Sequence, residues 1–156
     1  MVSNICSIAK RSDGLSRRVS GPDRMRAMSG LTDLDALLAA LEPERRDGSF
    51  VFVTLAALDP TLPTQATVEE AEGLTCVVRQ SIADQRGLPY DFVAAWITLR
   101  AHSALDAVGL TAAVSGALAE AGISCNLLAG HFHDHLLVPH DRADDAMQVL
   151  DALRAR

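Results

Sequence analysis

At 156 residues, 49% hydrophobic and 22% charged, the chain has the composition of an ordinary globular protein, enough for one compact body or two very small ones. Aromatics make up only 4%, so a core must be built from Ala, Leu and Val, and no apolar run approaches the ~20 residues of a membrane-spanning helix. The formal charge of −6 is uneven: residues 1–30 hold six basic and two acidic side chains, a net +4, which leaves −10 for residues 31–156.

An acidic body repels a phosphate backbone, which argues against nucleic acid as a partner of the folded part. The basic head lacks aromatic interleaving, an amphipathic stripe and the apolar segment of a secretory signal. It reads as a disordered leader, or as residues ahead of a true start at Met25 or Met28. Cys6, Cys76 and Cys125 are odd in number, widely spaced and without a C-x-x-C. Neither a disulfide framework nor a zinc clip is indicated, and the cytoplasm is the expected compartment.

Thr32 is placed to cap a helix carrying Leu34, Leu37, Leu38 and Leu41, with Asp35 three residues on as in a capping box. Pro43 ends that helix through the restriction it places on Glu42. Asp47-Gly48 is a turn, 50–55 a strand rich in β-formers, and 56–66, with two prolines, a loop. Short strands over 67–72 and 74–79 flank Gly73, and a helix over 81–86 stops at Gly87.

The second half is written more plainly. Residues 96–101 alternate, with Ile97, Leu99 and Ala101 on one face and Trp96, Thr98 and Arg100 on the other, which is a strand. Gly109 sits in a turn. Leu110, Ala113, Val114, Ala117, Leu118 and Ala121 then form one apolar helical stripe closed by Gly122. Residues 123–128 are strand-like, Leu136 to Val138 form a short apolar run before Pro139, and a last helix buries Ala146, Val149, Leu150 and Leu153. The order βαββα is half of a ferredoxin-like unit.

The words EAEGLT (70–75), WITL (96–99), HSALDAVGLTAAV (102–114), LAEAGIS (118–124) and AGHFHDHLLVP (129–139) carry a resemblance. From about Leu31 to about Ala152 the chain resembles the ACT domains, the ligand-binding modules of regulated amino-acid enzymes such as aspartokinases. More narrowly, it resembles a family of small bacterial proteins built from two ACT-like units and nothing else. The resemblance implies an α+β fold of two ferredoxin-like βαββα units in tandem, with antiparallel sheets packed side by side. The expected divisions are a leader over 1–30, a first unit over 31–92 and a second over 93–156. In the first unit the 56–66 loop stands where a helix would lie. Units this small are marginal alone, so they must share a core or dimerise.

In ACT domains the loop after the first strand holds the ligand, commonly an amino acid. By position this falls on His102, Ser103, Asp106, Gly109, Leu110 and Thr111, with Ser124 and Asn126 on the adjacent strand. Asp106 could accept from an α-amino group while unpaired first-turn amides meet an α-carboxylate. The competing reading has Ser103 and Asp106 merely capping the helix. A second cluster, His131, His133, Asp134 and His135, could hold zinc, nickel or copper if its period of two survived. Only the HDH of 133–135 matches the family's pattern, and a hairpin turn at 133–135 would break that period, leaving a structural tip. Glu69, Glu70 and Glu72 read as a solvated edge strand or as a carboxylate pair. No G-x-S-x-G, P-loop or dinucleotide fingerprint is present, and His102 and Ser103 would point to opposite faces of a strand.

The expectation is therefore a regulatory sensor without catalytic activity or cofactor, binding a small molecule of the amino-acid class. It would act as a homo-oligomer and signal to a separate enzyme or regulator chain, with neither nucleic acid nor membrane as partner. The alternative is a metal-binding protein or small metalloenzyme centred on the histidines.

Overall fold

The computed structural model describes residues 33–101 and 108–155. Helix α1 (Leu34–Ala39) leads into β1 (Pro43–Arg45), β2 (Phe50–Leu55), β3 (Thr64–Glu70), β4 (Gly73–Arg79) and α2 (Gln80–Arg86). Then come β5 (Val93–Leu99), α3 (Leu110–Glu120), β6 (Asn126–Ala129), β7 (Asp134–Pro139), a 3-10 turn (His140–Arg142) and α4 (Ala143–Arg154). All seven strands join one antiparallel-paired sheet in the order β3-β4-β2-β5-β7-β6, with β1 pairing β5 as well. The two halves meet where β2 pairs β5 through Phe50↔Ala94 and Val51↔Val93.

Helices lie on one face. Ala95, Ile97 and Leu99 of β5 and Leu136 and Val138 of β7 are buried against α1, α3 and α4, through residues such as Leu37, Val114, Leu118 and Leu150. A smaller cluster packs α2 onto the first half through Ala83, Val51, Val53, Cys76 and Val78. The opposite face gathers Phe50, Val77, Ala94, Trp96 and Leu137, and no described helix contributes to it. The alternation expected around Trp96 is therefore the alternation between these two faces.

Helix ends follow local chemistry. Asp33, rather than Thr32, caps α1: its carboxylate accepts from the Ala36 amide at 2.9 Å, and Thr32 lies outside the described residues. After α3, Gly122 takes φ 67° and the amides of Gly122 and Ile123 donate back to Ala119 and Leu118. This paired closure occupies Ile123, so β6 starts at Asn126 instead of 123. β3 starts at Thr64, earlier than 67, because a register shift between Thr64 and Ala66 lets the chain join β4 sooner. The loop between β2 and β3 carries no helix, as the first half's pattern suggests. β1 is a strand that the sequence does not announce.

Candidate functional site

The N-terminus of α3 is the first place to look. Gly109, at φ 104°, is its N-cap and has no side chain with which to cap, in contrast to Asp33 on α1. The first bond inside the helix runs from the Ala113 amide to the Gly109 carbonyl at 2.8 Å. Amides of the opening turn have no partner within the helix, and among the described residues Gly109 supplies no cap. Gly109 also permits a close approach: a Cβ there would stand 3.1 Å from Leu34 Cδ2 of α1. Leu110 is buried beneath this corner and Thr111 is exposed beside it. An element of the first half thus abuts the start of the second half's main helix.

His102, Ser103 and Asp106 lie outside the described residues. Ser124 and Asn126 lie elsewhere. β5 and β6 each pair antiparallel with β7, so they run parallel and α3 returns between them. Its N-terminus therefore adjoins the end of β5, while Ser124, exposed just before β6, and Asn126 follow its C-terminus. An eleven-residue helix spans about 16 Å. Within one chain, Gly109–Thr111 and Ser124–Asn126 form two groups at opposite ends of α3.

The histidines sit on the β6–β7 hairpin. The turn occupies 130–133, closed by the Gly130 amide donating to the His133 carbonyl at 3.0 Å, so Asp134 and His135 are already strand. The turn thus falls slightly earlier than 133–135. His131 is exposed and meets only the edge of Phe132 among the ring contacts, at 4.7 Å. His135 turns to the helix-free face, its ring centroid 5.3 Å from that of Trp96 and its Nδ1 3.1 Å from the Thr98 hydroxyl. Burial, then the positive charges of Arg46 and His133, push its imidazole below the ordinary value of 6.5, against the pull of Asp134. Among the described residues no group of three His, Cys, Asp or Glu side chains is placed to hold a metal ion. Burial raises the thiols of Cys76 and Cys125, which suits them to packing and not to nucleophilic attack.

Comparison with known proteins places this geometry. ACT-domain family models match residues 29–95 and 92–152. A crystal structure of a Vibrio cholerae protein of unknown function, described as a possible transport protein, is 41% identical; the alignment covers 78% of this chain and 95% of that one, with a TM-score of 0.72. The chain belongs to the ACT-domain family. More distant ACT-type folds include an Agrobacterium tumefaciens protein at 18% identity, TM-score 0.59, over 73% of this chain and 89% of that one. The ligand-free regulatory subunit of aspartate kinase from Thermus thermophilus aligns at 8% identity, TM-score 0.52, over 72% and 95%. At those identities the likeness shows the fold alone. No curated protein matches the sequence. Two ACT domains in tandem on one α+β sheet are thus established. No helix among the described residues is long and apolar enough to cross a membrane.

Proposed function

We propose that this ACT-domain protein is a small-molecule sensor of the amino-acid class, acting on a separate enzyme or regulator and catalysing nothing itself. The observation that carries the reading is the glycine-capped start of α3, offering first-turn amides at a corner where the first half's α1 meets the second half. An α-carboxylate suits those amides and the positive end of the helix. Asp106, with His102 and Ser103 beside it in sequence, supplies the partner for an α-ammonium group. Ser124 and Asn126, at the other end of α3, serve a ligand held by a second copy in a homo-oligomer. Ligand binding that favours one arrangement of that interface is the signal.

Thermal unfolding of the full chain against the twenty amino acids tests this. A ligand at a hundred times its dissociation constant adds about 2.7 kcal/mol, several degrees for a protein of this size. One amino acid should raise the midpoint, and Asp106→Ala should remove that rise while leaving the unliganded midpoint within about 0.5 kcal/mol of the parent. No rise with any amino acid would end the reading.

A further inference from the structure

The helix-free face is covered in part by a cation where the other face has helices. Arg46, one residue past β1, donates its amide to the Trp96 carbonyl at 2.9 Å. Its guanidinium lies 4.7 Å from the Trp96 ring centroid and 5.4 Å from that of Phe50. Arg79 stands 5.5 Å from the same Phe50 ring. Two guanidinium groups thus flank a buried aromatic pair whose centroids are 5.4 Å apart.

Among the described residues neither arginine has a carboxylate partner. The four ion pairs among the described residues use Arg45, Arg86, Arg100 and Arg142. Arg46 donates instead to the amide oxygen of exposed Gln65 at 2.8 Å, and Arg79 to the Asp47 backbone carbonyl at 3.1 Å. Carboxylates are abundant in a body of charge −10, so their absence here is selective. The two on this face, Glu44 and Glu70, are held at its margins by Arg100 and Thr75. A third donor lies in the same place: the Trp96 indole N–H is buried, the residue being 3% exposed, and has no hydrogen-bond partner among the described residues. Native structures leave few such donors unmatched, because each costs about 1–3 kcal/mol.

We propose that this face binds a small organic anion, a carboxylate on a planar apolar body, with Arg46 and Arg79 as its charge partners and the Trp96 indole N–H as its buried donor. The guanidinium fork matches a carboxylate, and a bond to that charged acceptor displaces the one to the neutral amide oxygen of Gln65. Arg46 then swings from its ring stack and uncovers the indole. The planar body packs against Phe52 and Phe92, half-buried rings 6.3 Å apart at the margin of the face. This face is the reverse of the one carrying α3, so the site is separate from the amino-acid site proposed above and does not depend on it.

Trp96 is the only tryptophan in the chain, so its emission reads this site directly. The full chain is titrated with phenylacetate, acetate, benzyl alcohol and an oligoglutamate peptide. Phenylacetate should give a saturable change in emission, acetate a response about tenfold weaker, and benzyl alcohol none. Arg79→Gln, which leaves the Arg46–Trp96 stack in place, should weaken phenylacetate by about tenfold while the thermal midpoint holds. Arg46→Gln should weaken phenylacetate at least as much, with a lowered thermal midpoint from the lost ring stack. No saturable response to phenylacetate overturns the proposal, as does an equal response to benzyl alcohol or undiminished binding in both variants. A response to oligoglutamate alone overturns it in favour of an acidic protein segment.

Discussion

The two faces of one sheet are built on different chemistries. Against α1, α3 and α4 the fully buried side chains are aliphatic: Ile97, Leu99, Leu136 and Val138 meet leucines, valines and alanines. On the reverse, β2, β5 and β7 present Phe50, Trp96, Thr98 and His135, covered in part by an arginine. Aliphatic side chains have no polar end, so they are buried only where another element closes over them. An aromatic ring offers its face to a cation, and Arg lays its stem on apolar surface while its head stays wet. One face is sealed by packing; the other is held by contacts that a change of solvent or ligand can exchange.

Adjacent residues on β7 give the largest test of that contrast. Leu136 faces the helices and Leu137 the aromatic side, and both are fully buried. Leu136→Ala should cost about 4 kcal/mol and Leu137→Ala about 2–3 kcal/mol in urea unfolding, because the helix-free side can relax into the space. Equal costs would mean that the two faces are equally tightly packed. Two neighbouring arginines give the next. Arg46→Ala should cost about 1–2 kcal/mol and shift the Trp96 emission. Arg45→Ala, which loses an ion pair with the largely exposed Asp144, should stay within about 0.5 kcal/mol.

The smallest effect is in pH. The folded environment lowers the affinity of His135 for protons, so the unfolded chain binds more of them just below the ordinary histidine value of 6.5. Stability from this residue is complete above that value and is lost as pH falls toward the lowered folded value. The thermal midpoint should therefore decline on mild acidification, and His135→Gln should flatten the decline. An unchanged slope in that variant would place the acid sensitivity elsewhere.

Much of the architecture was legible because local rules and tertiary needs agree. β2 occupies 50–55 as its β-branched and aromatic run requires, and Gly87 and Gly122 end their helices in the left-handed conformation. The alternation through Ile97 and Leu99 shows which side of β5 carries the helices. β1 was hidden because Pro43, Glu44 and Arg45 have no strand signature; its strand exists through pairing with Leu99, Thr98 and Ile97, more than fifty residues on. Gly109–Thr111 could be found from a glycine at a helix start. The separation of Ser124 from that corner depends on α3 returning across the sheet, which no local pattern states. The Arg46–Gln65 bridge was equally hidden, since it depends on how far the two meet across a sheet face. A lone tryptophan in a chain so poor in aromatics was the one available hint.

Helix α1 has a consequence for how the chain comes together. Leu37 and Leu41, near the beginning of the described fold, complete a core whose other walls are β5, β7, α3 and α4, which lie far along the sequence. The earliest described helix must therefore wait for the latest one. Closing so long a loop adds little to the thermodynamic cost but slows the search, since the decisive contacts are remote. A polypeptide emerging from the ribosome holds α1 without its seat until Leu150 and Leu153 have been made. A cut between residues 92 and 93 would divide this core, leaving Leu37 and Leu41 on one piece and the walls that bury them on the other.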